Sequence, residues 1–258
     1  MAVPAAVATP VHDEDFRVRV AREKRERMRQ RLQNAAIEVF RGASMARSPV
    51  VEGVIQAAAV SRGTFYKYYQ SLEELLSEIG QQVAGDVLQT YKVLIAGSDS
   101  AATNLLTGPV LSMVHAGMDP ARALITARMD FFEYFTREND MKNILANALL
   151  KAHSETVVHY DDIDAATDYV VGATLEGMRR MAQLQQVDEA YILSVARMIG
   201  RGLDMTPHDA DLALEASWQA IHANVARLTW WNPEKLSSAQ RGNLSDQHIN
   251  DPVNQLIR

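Results

Sequence analysis

Apolar residues along the first third of this chain recur at helical intervals. Met28, Leu32, Ala35, Ala36, Val39 and Phe40 follow one another at three- and four-residue steps, which puts them on one stripe of a helix ending near Gly42. Upstream, RVRVAREKRERMRQR is either the exposed start of that helix or a flexible basic arm, and the pattern does not choose. Ser48-Pro49 offers an N-cap followed by proline at a first helical position, so a short helix over 49–57 is expected, with Val51, Val54 and Ile55 facing inward. Val60-Ser61 restarts the pattern, Ser61 capping the short segment RGTFYKYY. Two short helices joined by a tight turn and packed on a longer first one make a helix-turn-helix.

Ser71 followed three residues later by Glu74 is a capping box opening a long helix expected to reach Ile95, where GSDS breaks it. From there to Leu203 the pattern predicts successive amphipathic helices, interrupted around Gly117-Met118-Asp119-Pro120, RENDMKN, Tyr160-Asp161-Asp162 and Gln186-Val187-Asp188. No strand or hairpin signal intervenes. Thr206-Pro207 caps one more helix, expected to run to Trp230 with Leu212, Leu214, Trp218, Ile221 and Val225 as its apolar positions. From Lys235 onward the periodicity fades into a loosely held tail.

The predicted fold class is therefore all-α. It comprises a mobile N-terminal tail over 1–20, a three-helix helix-turn-helix domain over 21–70, a larger helical domain over 71–203, and a C-terminal extension over 204–258.

Charge sharpens this division. The formal net charge of the 258 residues is -6, which taken alone disfavours a nucleic-acid partner. Yet Arg17 to Lys67 holds twelve Lys/Arg against four Asp/Glu, a balance of +8, and the remainder carries -14. A basic module on an acidic body confines phosphate attraction to one end, because a polyanion responds to the field within about a Debye length. The alternative is an ordinary solvated helix in which Glu23 and Glu26 pair with arginines one turn away.

Hydrophobic residues make up 47% of the sequence, enough for a substantial core, and there is no cysteine, which excludes a disulfide framework and a thiolate metal site. The opening residues lack a basic leader and no apolar run approaches the roughly 20 residues of a membrane span, so a cytoplasmic protein with no membrane contact is expected. His115, His153 and His159 are too scattered for a metal site. No phosphate-cradling glycine loop or Ser/His/Asp constellation suggests an enzyme. No metal and no cofactor are expected.

The run VVEGVIQAAAVSRGTFYKYYQSLEELL, beginning at Val50, resembles the DNA-binding signature of the TetR family of transcriptional regulators. Val54, Ala57, Ala58, Val60, Ser61, Gly63, Thr64, Phe65, Tyr66, Tyr69 and Leu75 match it in order. Ala59 stands where that family usually has glycine, so a positive φ there would carry strain of roughly 1 kcal/mol. Leu72 stands where the family usually places a phosphate-holding lysine. Downstream, VVGATLEGMRRMAQLQQVDEAYILSVARMIGRGL resembles the last two helices of the TetR-like core, which form the dimer bundle in relatives.

The resemblance implies a ligand-responsive regulator, a repressor, that binds a palindromic double-stranded DNA operator as a homodimer and is released by a small-molecule effector. By family position Ser61, Arg62, Gly63 and Thr64 approach base edges, while Tyr66 and Tyr68 grip the backbone; Lys67 supplies positive charge. Phe65 and Tyr69 seat the helix. Arg17, Arg19, Arg22, Lys24 and Arg25 are candidates for further backbone or minor-groove contact. Gly172, Leu175, Met178, Ile192, Val195 and Ile199 are the implied dimer residues.

For the effector, ARMDFFEYFTRENDM is the segment richest in aromatics and methionine. Met129, Phe131, Phe132, Phe135 and Met141 are candidates for an apolar cavity, with Arg128 or Tyr134 orienting a polar group. The rival function is a TetR-like ligand-binding or interaction protein that has lost specific DNA binding.

Overall fold

The computed structural model describes residues 11–41, 50–128 and 140–236. Among them it holds helices and no strand, and it divides into two compact units, Met1–Leu75 and Leu76–Arg258.

In the first unit the basic stretch is helical. α1 runs from Val11 to Arg41, so the second half of the expected N-terminal tail and the whole of the open 17–31 segment belong to one helix. Its second half buries Leu32, Ala36 and Phe40, the stripe read from the sequence. Along its first half Phe16, Val18, Arg19 and Val20 are exposed. α2 spans Val51–Ala57 and buries Val54. Its N-cap is Val50, with no side-chain cap bond, and Ser48 and Pro49 lie outside the described residues.

α3, Arg62–Tyr66, is capped as expected, Ser61 accepting from the Thr64 amide at 3.0 Å. α4 runs from Leu72 to Leu94. The capping pair at its start is shifted by one residue on one side: Glu74 donates its amide to Ser71 at 3.2 Å, while its carboxylate accepts from the Gln70 amide, not that of Ser71, at 2.6 Å.

In the second unit the centre is α5, Ala101–Met118, capped by Ser100. Fifteen of its eighteen residues are buried, so it is not amphipathic as the sequence suggested. A helix apolar on every side must be enclosed on every side, and α6 (Pro120–Arg128), α7 (Asp140–Ser154), α8 (Ile163–Leu184), α9 (Glu189–Gly202) and α10 (Pro207–Asn224) all pack against it. Close approach to the turn before α9 depends on Gly117: a Cβ there would lie 2.9 Å from the Gln186 carbonyl oxygen.

The extension past Leu203 is part of this core. Thr206 caps α10 as expected, yet the helix stops at Asn224, short of Trp230, and continues as a 3-10 turn at Val225–Arg227. Leu214 and Ile221 are buried, whereas Leu212 is exposed. Thr107 of α5 and Ser217 of α10 share a buried hydrogen bond of 2.7 Å. Beyond α10, the Trp230 indole donates to Thr90 on α4 at 3.3 Å and lies against the buried His115 ring, centroids 4.8 Å apart. The expected tail begins too early: Lys235 accepts a bond from the Val187 amide at 2.9 Å and Leu236 is buried beside it.

Candidate nucleic-acid interface and effector cavity

The short helix α3 sorts its side chains by angle. Phe65 and Tyr69, one helical turn apart, are fully buried and seat the segment. The other residues of the segment are more open: Ser61, Arg62, Gly63, Tyr66 and Lys67 are exposed, and Thr64 and Tyr68 are half-buried. None of the seven residues the sequence nominated for DNA contact is fully buried, and together they offer a guanidinium, an ammonium and hydroxyl groups. Thr64 is positioned by Ser61, their hydroxyl oxygens being 2.8 Å apart.

Ala59, Arg31, Arg29 and Glu52 also shape this surface. Ala59, in the turn between α2 and α3, has φ +48°, the left-handed conformation in which a Cβ is strained. Its carbonyl accepts from the Arg31 guanidinium at 3.2 Å, so an α1 arginine braces the strained turn. Arg29, also on α1, stacks its guanidinium over the Tyr69 ring at 4.9 Å. Arg19, Arg22, Lys24 and Arg25 lie on the exposed part of α1, Arg19 sitting 4.0 Å from Glu23, while the Arg17 side chain lies outside the described residues.

Arg62 pairs with Glu52 of α2 at 2.6 Å, both side chains well exposed. Sequence reasoning missed Glu52 because the pair forms across the turn, ten positions apart, where no helical spacing signals it. Leu72 is half-buried at the first turn of α4.

The second unit holds a half-open cavity of about 110 Å³. Five helices wall it: Val87 and Tyr91 on α4, Asn104 and Pro109 on α5, Thr126 on α6, Leu145 on α7, and Thr174, Leu175 and Met178 on α8. Among the described residues no Lys, Arg, His, Asp or Glu lines it. Burial pushes the Tyr91 phenol above its usual pKa, so it stays neutral across the physiological range.

The effector candidates Met129, Phe131, Phe132, Tyr134 and Phe135 lie outside the described residues, as do the side chains of Arg128 and Met141. The wall seen here was missed because its residues come from five separated segments, although the interruption of an apolar helix by Asn104 and Gly108-Pro109 is a signal legible in the sequence.

The nominated dimer residues divide. Ile192 and Ile199 are fully buried in the chain's own core, and Met178 is buried too, so these three form no surface. Leu175 and Met178 line the cavity, Val195 is half-buried, and Gly172 alone is exposed. α9 places Ile192, Ala196 and Ile199 on one inward stripe, which leaves Met198 to face solvent.

No protein-family profile and no curated protein sequence matches this chain. Solved structures do. CprB, a TetR family protein from S. coelicolor A3(2), aligns over 76% of this chain and 98% of its own, with 17% identity and a TM-score of 0.55. Two structures of a γ-butyrolactone receptor (ArpA-like protein) align over 76% of this chain, with 16% and 15% identity, 97% and 98% of their own lengths, and TM-scores of 0.54 and 0.55. The all-helical fold of this chain, with a helix-turn-helix in its N-terminal unit, is the fold of TetR-family regulators.

Proposed function

We propose that this chain is a ligand-responsive transcriptional repressor that binds a palindromic operator as a homodimer and leaves it when a small molecule occupies the cavity of the second unit. One observation carries the reading: α3 buries Phe65 and Tyr69 while turning Arg62, Tyr66 and Lys67 outward. A helix that serves only its own packing has no need of a positively charged, hydroxyl-bearing outer side. In the duplex, Arg62 takes guanine acceptors, Thr64 a phosphate or thymine methyl, and Tyr66, Lys67 and Tyr68 the backbone.

Two such helices must stand about 34 Å apart to enter successive major grooves. A homodimer built on α8 and α9 would use their outward faces, where Tyr169, Gly172 and Met198 are exposed. Effector and operator would communicate through α4. Leu72 and Leu75 at its start belong to the first unit, and Val83, Val87 and Tyr91 further along it line the cavity. A ligand that fits one position of α4 better than another shifts the dimer's population by that difference in affinity.

The test is operator selection from sheared genomic DNA, followed by fluorescence anisotropy with the full chain. Arg62→Ala and Tyr66→Ala are each expected to weaken the complex by about tenfold or more, within the 1–3 kcal/mol of a good base contact, with circular dichroism unchanged. Undiminished binding by both variants would defeat the site assignment. Failure of the intact chain to select any sequence would leave the rival function, a ligand-binding protein of this fold without specific DNA binding.

A further inference from the structure

Helix α3 has five residues, Arg62–Tyr66, too few to hold a direction unaided, since isolated helices shorter than about 12 residues are marginal in water. Its aim must come from its flanks. The leading flank is a Schellman closure of α2. The Val60 amide donates to the Ile55 carbonyl at 3.2 Å and the Ala59 amide to the Gln56 carbonyl at 3.0 Å, the two bonds that wrap a helix end around one left-handed residue. That residue is Ala59, φ +48°, where the Cβ that glycine lacks holds the turn above its relaxed energy.

Neither of these bonds holds the Ala59 carbonyl. Arg31 does, its guanidinium reaching across from α1 to donate at 3.2 Å. Two residues beyond Ala59, Ser61 caps α3, so loosening of the turn swings the helix. The trailing flank is gripped from α1 as well. Tyr69 is fully buried, with the Arg29 guanidinium 4.9 Å from its ring centre and the Gln33 side-chain amide 3.5 Å from its hydroxyl.

From this we infer that Arg31 is a positioning residue for the recognition helix, acting on DNA through the Ala59 carbonyl and not by meeting a phosphate. By charge and exposure alone it reads as one more cation of the basic module. The inference rests on reading α3 as the helix that contacts the operator. Without the Arg31 bond, a strained residue loses a restraint, the turn opens more often, and the share of chains with α3 correctly aimed falls. Apparent affinity falls with that share.

A glycine at this turn separates the two roles. Ala59→Gly removes the strain, so the turn no longer needs its brace, but it cannot replace a lost phosphate contact. Operator binding by the full chain, followed by fluorescence anisotropy across a salt series, reads the difference. Arg31→Met should weaken the complex about fivefold, on the scale of one hydrogen bond. The slope of log affinity against log salt should stay as it was, where a lost phosphate contact would flatten it by about 0.9. Arg31→Met combined with Ala59→Gly should bind operator within about twofold of Ala59→Gly alone.

A slope flattened by a phosphate's worth, undiminished affinity of Arg31→Met, or a loss that persists in the double variant overturns the inference. Should Arg31→Met fail to fold, the double variant decides: folding with operator affinity near that of Ala59→Gly upholds it, and anything less overturns it. A native chain that selects no operator defeats the repressor reading, and urea unfolding then judges the brace by itself. Arg31→Met should lower the unfolding midpoint more in the native background than in Ala59→Gly, and equal losses overturn the brace.

Discussion

Single residues set how this chain can meet a duplex. Glu52 holds the Arg62 guanidinium at 2.6 Å on an exposed surface, where an ion pair is worth about 0–1 kcal/mol. That is too little to lock the arginine away, but enough to bias its direction. It also keeps a negative charge beside a side chain proposed to enter the groove. Glu52→Gln is therefore expected to raise operator affinity several-fold at low salt and by less at high salt, since screening removes the repulsion it relieves. Anisotropy titrations at two salt concentrations would show it, and lower affinity at both would mean that Glu52 orients Arg62 productively.

Ala59 belongs to this scale too. The resemblance marked it as a glycine position, and its φ of +48° bears out the strain foreseen there. The arginine that steadies its carbonyl was not foreseen, because Arg31 lies 28 residues away.

Among the helices, the period of the pattern was legible and the direction of each face was not. α1 and α10 start or bury where periodicity and caps said they would, with Thr206 donating no surprise and the Leu32, Ala36 and Phe40 stripe inward. α9 shows the other case. Its apolar stripe was assigned to a partner subunit, yet Ile192 and Ile199 are buried at home, because a helix between two neighbours carries one stripe for each and the sequence does not say which neighbour is its own chain. Ile199→Ala should therefore cost about 2–5 kcal/mol as a core cavity. Its loss of thermal stability should be the same at low and high protein concentration, whereas an interface position would give a concentration-dependent loss.

At the scale of the molecule, the second unit buries a histidine in its core. His115 is 2% exposed, its Nδ1 has no hydrogen-bond partner among the described residues, and its ring lies against Trp230. Desolvation pushes its pKa below the usual 6.5, outweighing the opposing pull of Asp119 and Asp86. His222 is lowered for the same reason, against Glu189.

A histidine held neutral in the folded state takes up a proton more readily when unfolded. Its contribution to stability is therefore complete above about pH 6.5 and declines as the pH falls below it. The melting temperature should drop between pH 7 and pH 5.5, and His115→Phe should flatten that dependence. An equally steep drop in the variant would assign the effect to other groups.

Local chemistry in the sequence determined the helices, the Ser61, Ser71 and Thr206 caps, the strained turn at Ala59 and the outward side of α3, because each depends on residues within a turn or two of one another. Tertiary structure alone decided the rest: the Arg62–Glu52 pair, the docking of Trp230 and Leu236, the inward turn of α9 and the apolar cavity walled by five helices. These join residues far apart along the chain, and which of several apolar faces meets which is a matter of packing the whole unit to native density, a competition no local pattern records.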